Sequence, residues 1–177
     1  MNRRLAEGLR NAPERRDHPA TEAVIAIGAN LGDRADTLVA AVEELRRLPL
    51  VDDVRSSNAV ESIAVKPDGP DASAPTYLNA VAIITTRLAP SVLLGYLHAI
   101  EERHGRQRRE RWDDRTLDLD LIAYGDLRSS DPSLEIPHPR AHKRDFVLVP
   151  WLEVDPDAEV PGVGRVDELL AGLRESS

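Results

Sequence analysis

The sequence predicts an α+β fold whose core follows the order β-α-β-β-α-β, with further elements after it. Two helical patterns are separated by a pair of strand patterns, and one more strand pattern lies on either side of them. Elements in this order build one sheet packed against two helices, as in the ferredoxin-like α+β sandwich. A chain of 177 residues is long enough for one such domain with its own core. We therefore predict a single domain over residues 21–177, with C-terminal additions, after a polar, arginine-rich mobile leader over 1–20.

The first half of the chain predicts strand, helix and strand. Residues 23–27 form a short apolar strand, and the segment G-A-N-L-G-D-R after it predicts a turn that ends in a helix cap at Asp33 or Asp36. Another strand is predicted over 51–65, and residues 66–75 contain three prolines, which predicts a long irregular loop. The helix between the strands ends at Pro49, and its apolar stripe consists of Leu38, Val39, Val42, Leu45 and Leu48.

The second half begins with a strand over 77–86 and a helix over 91–104, which has Pro90 in its first turn. The next strand, over 117–124, alternates apolar and acidic residues before it becomes wholly apolar. Beyond it we predict a short strand at Val147–Val149 and a weak helix over 166–173.

Composition excludes several classes of function. The formal net charge of −8 argues against a general nucleic-acid binder, and the absence of cysteine excludes disulfides, thiolate metal sites and cysteine catalysis. No apolar run approaches the roughly 18 residues that span a membrane. We therefore expect a cytoplasmic monomer that has neither a nucleic-acid nor a membrane partner.

Asp118 and Asp120 stand two positions apart in the run L-D-L-D-L-I-A-Y, so they share one face of a strand. Two solvated acids on an open strand face are one interpretation. The other is a Mg²⁺ site, since Mg²⁺ takes one or two carboxylates and completes its shell with phosphate oxygens and water. The arginine-rich segment just upstream favours the second interpretation.

Six of the thirteen residues in 103–115 are arginine. A charged surface after a helix C-terminus, or a nucleic-acid patch around Trp112, would also fit this composition. Guanidinium groups bind phosphate oxygens bidentately, however, so several of them on a glycine-started loop suit a triphosphate. Beside the two acids, this loop indicates phosphoryl chemistry.

Two further groups of residues predict ligand contacts. The segment P-H-P-R-A-H-K-R-D-F has two prolines near its start and ends with the chain's one phenylalanine. It contains two histidines and three more basic residues, which suits an anion site. Tyr77 and Asn79 share a strand face, where a ring and an amide could hold a flat heterocycle together with Phe146.

These motifs together resemble a known family. The segments I-A-I-G-A-N-L-G-D-R, Y-L-N-A, G-R-x-R, R-W-x-x-R-T-L-D-L-D and P-H-P-R-x-H-x-R-x-F occur in the same order in the 6-hydroxymethyl-7,8-dihydropterin pyrophosphokinases of folate biosynthesis. The resemblance covers roughly residues 23–156. It implies a ferredoxin-like enzyme that transfers the pyrophosphoryl group of ATP to the pterin hydroxymethyl oxygen and releases AMP.

The resemblance also implies a role for each matching residue. Asp118 and Asp120 would hold two Mg²⁺ ions, and would form the catalytic set with Arg106 and Arg108. The pterin would contact Ser62, Tyr77, Asn79, Trp112 and Phe146. ATP would contact His98, Glu101, Arg106, Arg115, His138, Pro139 and Arg144, with Glu101 a better match than His98.

Two other functions compete with the enzyme. A catalytically weak relative could bind pterin or nucleotide as a regulatory module, but it would have no physical need for two mutually repelling carboxylates. An RNA-binding ferredoxin-like domain would need aromatic residues within a basic sheet face, and this chain is acidic.

Overall fold

The computed structural model describes residues 19–63, 65–66, 69–70, 76–105 and 116–176. Nearly all of the predicted leader and most of the 66–75 loop lie outside these ranges. The α-helices are α1 (Arg34–Arg46), α2 (Pro90–Arg103), α3 (Asp145–Val154) and α4 (Val166–Glu175), and a short 3₁₀ helix spans Ala141–Lys143. The strands are β1 (Thr21–Ala29), β2 (Val51–Ser56), β3 (Val60–Ser62), β4 (Val65–Lys66), β5 (Gly69–Pro70), β6 (Tyr77–Thr86), β7 (Leu117–Tyr124), β8 (Ser129–Asp131), β9 (Leu134–Ile136), β10 (Glu159–Val160) and β11 (Gly164–Arg165).

The main sheet has the strand order β2-β6-β1-β7, and each strand is antiparallel to its neighbours. The short strand β3 also pairs with β6, beyond the end of β2. The β1–β6 register is unbroken from Thr21↔Thr86 to Ala29↔Leu78, whereas the β1–β7 register shifts between Val24 and Ile25. The three remaining strand pairs are small hairpins outside this sheet. The protein is thus a mixed α/β fold built on one antiparallel sheet.

Helices α1 and α2 cover one face of the sheet. Alternate residues of β1, including Ile25 and Ile27, are buried there against Leu45 of α1 and Leu97 of α2. The carboxylate of Asp33 caps α1 by accepting the Asp36 N–H at 3.0 Å, so the predicted cap is confirmed at Asp33. Val39 was predicted in the buried stripe of α1, but it is 64% exposed.

Helices α3 and α4 cover the opposite face. Val24, Val81 and Ile122 pack there with Leu148 and Trp151 of α3. The predicted strand at 147–149 is wrong, because this segment lies inside α3. Three adjacent apolar residues are too few to distinguish the period of a helix from that of a strand. The helix buries Val147, Leu148 and Trp151, which are three and four positions apart, against the sheet. The predicted C-terminal helix is confirmed as α4.

The strand predicted over 51–65 is also corrected. It is divided into β2, β3 and β4: residues 57–59 separate β2 from β3, and β4 pairs with β5 outside the main sheet. Ser57 accounts for the break: its N–H donates to the Val81 carbonyl at 2.9 Å, while its hydroxyl accepts the Val81 N–H at 3.0 Å. The hydroxyl thus replaces a backbone acceptor, and the chain turns away before β3. Within the described ranges, no helix is both long and apolar enough to cross a membrane.

Candidate active site

The two acids lie where the sequence pattern places them. Leu117, Leu119 and Leu121 are buried against the α1–α2 side, and Asp118 and Asp120 are half-buried on the face that α3 and α4 cover further along. The predicted alternation is therefore confirmed. Because β7 ends the sheet, its acids lie at an edge that ligands can reach.

Asp120 is flanked by two groups from the segment before α3. Arg144 Nη1 donates to Asp120 Oδ2 at 3.4 Å, and His138 Nε2 lies 4.0 Å from the same oxygen. The His138 backbone N–H donates to the Ile122 carbonyl at 2.8 Å, which fixes this segment against β7. Burial lowers the pKa of the His138 imidazole, and the Arg144 and Arg140 guanidinium groups lower it further against the opposing attraction of Asp120. The lowered pKa favours the neutral imidazole, so Arg144 is the cation that contacts Asp120.

Arg144 also contacts the predicted aromatic residue. Its guanidinium carbon lies 5.7 Å from the centre of the Phe146 ring, within the range of a cation–π contact. Phe146 itself lies in the first turn of α3 and is half-buried. One side chain thus connects the acid strand to the ring.

Glu101 of α2 is 1% exposed and lies against β7 on the side of the sheet that α2 covers. Its Oε1 accepts the N–H of Leu119 at 2.9 Å, and Leu119 is the residue between the two acids. An edge strand leaves alternate N–H groups without a neighbouring strand, and Glu101 satisfies this one. The contact fixes α2 to β7 at the site.

An open cleft of about 290 Å³ lies beside this group. Its wall contains the carboxylates of Asp118 and Asp120, the buried carboxylate of Glu101 and several apolar side chains. The cleft can therefore take a ligand with both charged and apolar parts. Its lining includes Leu94, His98, Glu101, Asp118, Asp120, Leu121, Leu134, Ile136 and His138. Pro139 lines a second, adjoining cleft of about 390 Å³.

A row of paired residues crosses the sheet beside the cleft. Gly28 of β1 is paired with Asp118 on one side and with Asn79 on the other, and Asn79 is paired with Val60. Paired residues point to the same face, and neighbouring strands are about 4.8 Å apart, so Asp118 and Asn79 flank the glycine on one surface. A Cβ at Gly28 would be 3.4 Å from Asn79 Oδ1 and 3.8 Å from Tyr77 Cδ1. The absence of a side chain at Gly28 keeps this surface open between the acid and the amide.

The amide of Asn79 is fixed by β3. Its Nδ2 donates to Ser62 Oγ at 2.8 Å and to the Val60 carbonyl at 3.4 Å, and Asn79 is 6% exposed. Ser62 is paired with Tyr77 in the β3–β6 register. Three predicted ligand residues, Ser62, Tyr77 and Asn79, are therefore together at one end of the sheet.

Comparison with known proteins settles the family. The family model for 7,8-dihydro-6-hydroxymethylpterin-pyrophosphokinase matches residues 24–156. The chain belongs to this family. It is 41% identical over 143 residues to the 2-amino-4-hydroxy-6-hydroxymethyldihydropteridine pyrophosphokinase of Synechocystis, covering 81% of this chain and 71% of that one. The enzyme of the same name from Haemophilus influenzae is 40% identical over 148 residues, with 84% and 90% coverage.

A solved structure has the same fold. The structure of wild-type Plasmodium falciparum HPPK-DHPS aligns with a TM-score of 0.66 at 12% identity, covering 89% of this chain and 42% of that one. The chain thus spans less than half of that solved chain, and the likeness at this identity concerns the fold alone.

The structure brings most of the residues predicted for this pyrophosphokinase into two adjoining groups. Asp118, Asp120, Glu101, His98 and His138 line the cleft, while Ser62, Tyr77 and Asn79 lie across Gly28 from it. The predicted loop residues Arg106, Arg108, Trp112 and Arg115 lie outside the described residues.

Gly28 itself was missed. The sequence predicted that β1 ends there and that its glycine serves a turn, but the strand continues to Ala29. Of the two glycines in this segment, Gly32 and not Gly28 has a left-handed φ, of 68°. The sequence carried no signal for its role, since a glycine kept for open space and one kept for a turn look alike.

Proposed function

We propose that the protein binds ATP in the cleft beside Asp118 and Asp120 and transfers its pyrophosphoryl group there to the hydroxymethyl oxygen of 6-hydroxymethyl-7,8-dihydropterin, releasing AMP. As a member of its family, the protein is an ATP-dependent pyrophosphokinase of folate biosynthesis. The observation that carries the location is the row Asp118–Gly28–Asn79, because it puts a carboxylate and an amide on the same face of the sheet, on either side of a glycine. A phosphate chain and a flat heterocycle could meet over that glycine.

The pterin would lie on the Asn79 side of the row. The Asn79 Nδ2 donates to Ser62 and Val60, so the amide would offer its Oδ1 to accept a hydrogen bond from an N–H at the edge of the heterocycle. Tyr77 and Phe146 supply rings for the faces of the pterin. Trp112 is proposed to contribute to the same pocket from the arginine-rich segment.

The nucleotide would lie in the cleft. Among the described residues, Arg144 is a cation that contacts Asp120. Its guanidinium, which faces the carboxylate, can instead donate to a phosphate oxygen. We assign further ATP contacts to His98, Glu101, His138 and Pro139. Arg106, Arg108 and Arg115 of the upstream segment are proposed to neutralise the phosphates.

Asp118 and Asp120 fit Mg²⁺ that arrives with ATP better than a metal held by the protein alone. The described residues contain no group of three or more histidine, aspartate or glutamate side chains placed to hold a metal ion. Two carboxylates are a usual protein share for Mg²⁺ whose other ligands are phosphate oxygens and water. Bound there, Mg²⁺ would neutralise charge on the phosphates, and we propose that the two acids hold two ions.

The chain's own residues then act by position and charge. Transfer of this kind needs the attacking and leaving oxygens in line and the phosphate charge compensated, and it demands little covalent chemistry from the protein. Asn79, Tyr77 and Phe146 orient the pterin hydroxymethyl group, while Arg144 and the loop arginines stabilise charge that moves toward the AMP oxygen.

The same proposal includes the wider architecture. We infer that the βαββαβ core is ferredoxin-like, which the order β2-β6-β1-β7 with antiparallel neighbours supports. We further propose that residues 21–177 form one catalytic domain that works as a cytoplasmic monomer, where ATP is available.

The deciding experiment measures AMP formed from ATP and 6-hydroxymethyl-7,8-dihydropterin, with and without Mg²⁺. We expect AMP that depends on both pterin and Mg²⁺, and a loss of about a thousandfold or more in kcat for Asp118→Asn. Asp126→Asn is the matched control, since Asp126 lies in the exposed turn just after β7. Folded protein that binds pterin but forms no AMP would instead indicate a binding module.

A further inference from the structure

Arg34, the first residue of α1, connects that helix to two separate strands. Its Nη1 donates to the Thr76 carbonyl at 2.5 Å and to Thr76 Oγ1 at 2.7 Å. Its Nη2 donates to Glu61 Oε1 at 3.1 Å. One guanidinium thus holds the residue just before β6 and a residue within β3.

Both partners of Arg34 directly precede proposed pterin residues. Glu61 is followed by Ser62 and Thr76 by Tyr77, and Ser62 and Tyr77 are paired across β3 and β6. Ser62 Oγ in turn accepts a hydrogen bond from Asn79 Nδ2. A movement of either partner would therefore be passed to the surface that faces the pterin.

The strand β3 is short enough to need a further contact to fix its position. It has three residues and, in the described part of the chain, pairs only with β6. So short a pairing supplies few backbone hydrogen bonds, and a strand of this length is weakly fixed by itself. The fork of Arg34 adds a fixed point at Glu61, the middle residue of β3, because a planar guanidinium can bond two partners in a set geometry.

The helix does not need this arginine for its own start. Asp33 already caps α1 with its carboxylate. The ion pair of Arg34 with Glu61 is also solvent-accessible, with side-chain exposures of 29% and 63%, and such pairs contribute little to stability. The contact with Glu61 therefore serves placement more than folding.

We propose that Arg34 is a positioning residue for the pterin pocket: it fixes Ser62 and Tyr77 relative to each other through Glu61 and Thr76, without touching the pterin. This inference rests on the proposed function, because it takes Ser62, Tyr77 and Asn79 as the pterin surface. Lysine at position 34 would keep the charge but offer one ammonium in place of the two-armed fork.

The test compares Arg34→Met and Arg34→Lys with the wild type in steady-state kinetics for both substrates and in thermal unfolding. We expect Arg34→Met to raise the KM for pterin about tenfold, as loss of positioning does, with the KM for ATP and Tm close to wild type. Arg34→Lys should recover part of the loss. The control is Arg46→Met, which removes an arginine from the same helix, where it pairs with Glu43 at 3.3 Å.

Tyr77→Ala separates failure of this inference from failure of the proposed site. If Tyr77→Ala raises the KM for pterin and Arg34→Met does not, Arg34 has no positioning role while the site stands. If neither variant changes that KM, the proposed pterin surface is itself wrong. Equal increases in both KM values, together with a lower Tm, would make Arg34 a structural residue and overturn the inference.

Discussion

Two clusters of the molecule contain the same three groups, a carboxylate, an arginine and a histidine, in different geometries. Glu44 of α1 accepts from Arg103 Nε at 2.9 Å and contacts His104 Nε2 at 2.7 Å, at the end of α2. Arg103 Nη2 makes a further close contact with Glu44. In the other cluster, Asp120 has Arg144 at 3.4 Å and His138 at 4.0 Å.

We infer that the two clusters differ in task as they differ in distance. Burial raises the pKa of Glu44, but the hydrogen bonds from Arg103 and His104 outweigh it and lower the pKa overall. That cluster is closed and ties two helices together on one face of the sheet. The contacts of Asp120 with Arg144 and His138 are longer, and at 3.4 Å the Arg144 guanidinium can exchange the carboxylate for a phosphate oxygen. Similar composition thus gives a structural tie in one place and a candidate catalytic site in the other.

The largest expected effect comes from removing one charge at the centre of each cluster. Asp120→Asn should lower kcat by about a thousandfold or more, because a carboxylate proposed to hold Mg²⁺ becomes a weak neutral ligand. Glu44→Gln should leave kcat within about threefold of wild type, since its cluster lies outside the cleft. AMP formation measures both. Activity of Asp120→Asn within tenfold of wild type would remove Asp120 from the metal site.

The second largest effect should come from replacing the arginine of each cluster. We expect Arg144→Met to lower kcat about a hundredfold, because it removes a cation from the developing phosphate charge and a contact from Phe146. Arg103→Met, on the exposed side of the Glu44 cluster, should change kcat much less and should lower Tm only slightly. Circular dichroism gives Tm for both variants. Equal losses of kcat would mean that the two clusters do not differ in function.

The smallest effect is on the pH dependence of stability. The pKa of Glu44 is lowered in the folded state, so its stabilising contribution is present above the unfolded value near 4.5 and is lost as pH falls through the folded value. The difference in urea midpoint between wild type and Glu44→Gln should therefore be larger at about pH 6 than at about pH 3.5. A difference that stays constant, or grows toward acid, would show that the Glu44 carboxylate is not preferentially ionised in the fold.

Much of the fold follows from local pattern. A cap at Asp33 or Asp36, a helix with Pro90 in its first turn and the acid alternation in β7 were all predicted, because each depends on a few neighbouring residues. The predictions that failed, the strand at 147–149 and the unbroken strand over 51–65, concern segments whose state depends on distant partners. Residues 147–149 are helical because α3 packs with Trp151 against the sheet, and the strand over 51–65 breaks because Ser57 hydrogen-bonds Val81.

The candidate site divides in the same way. The sequence by itself determined that Asp118 and Asp120 share a face, since a strand repeats every two residues, and it named the side chains that are candidates for the chemistry. The roles assigned to those side chains are predictions that the kinetic experiments test. Only the tertiary structure decided that Gly28 separates Asp118 from Asn79 and that Arg34 bonds both Glu61 and Thr76, because strand register and contacts 27 and 42 residues apart are set by packing across the whole sheet.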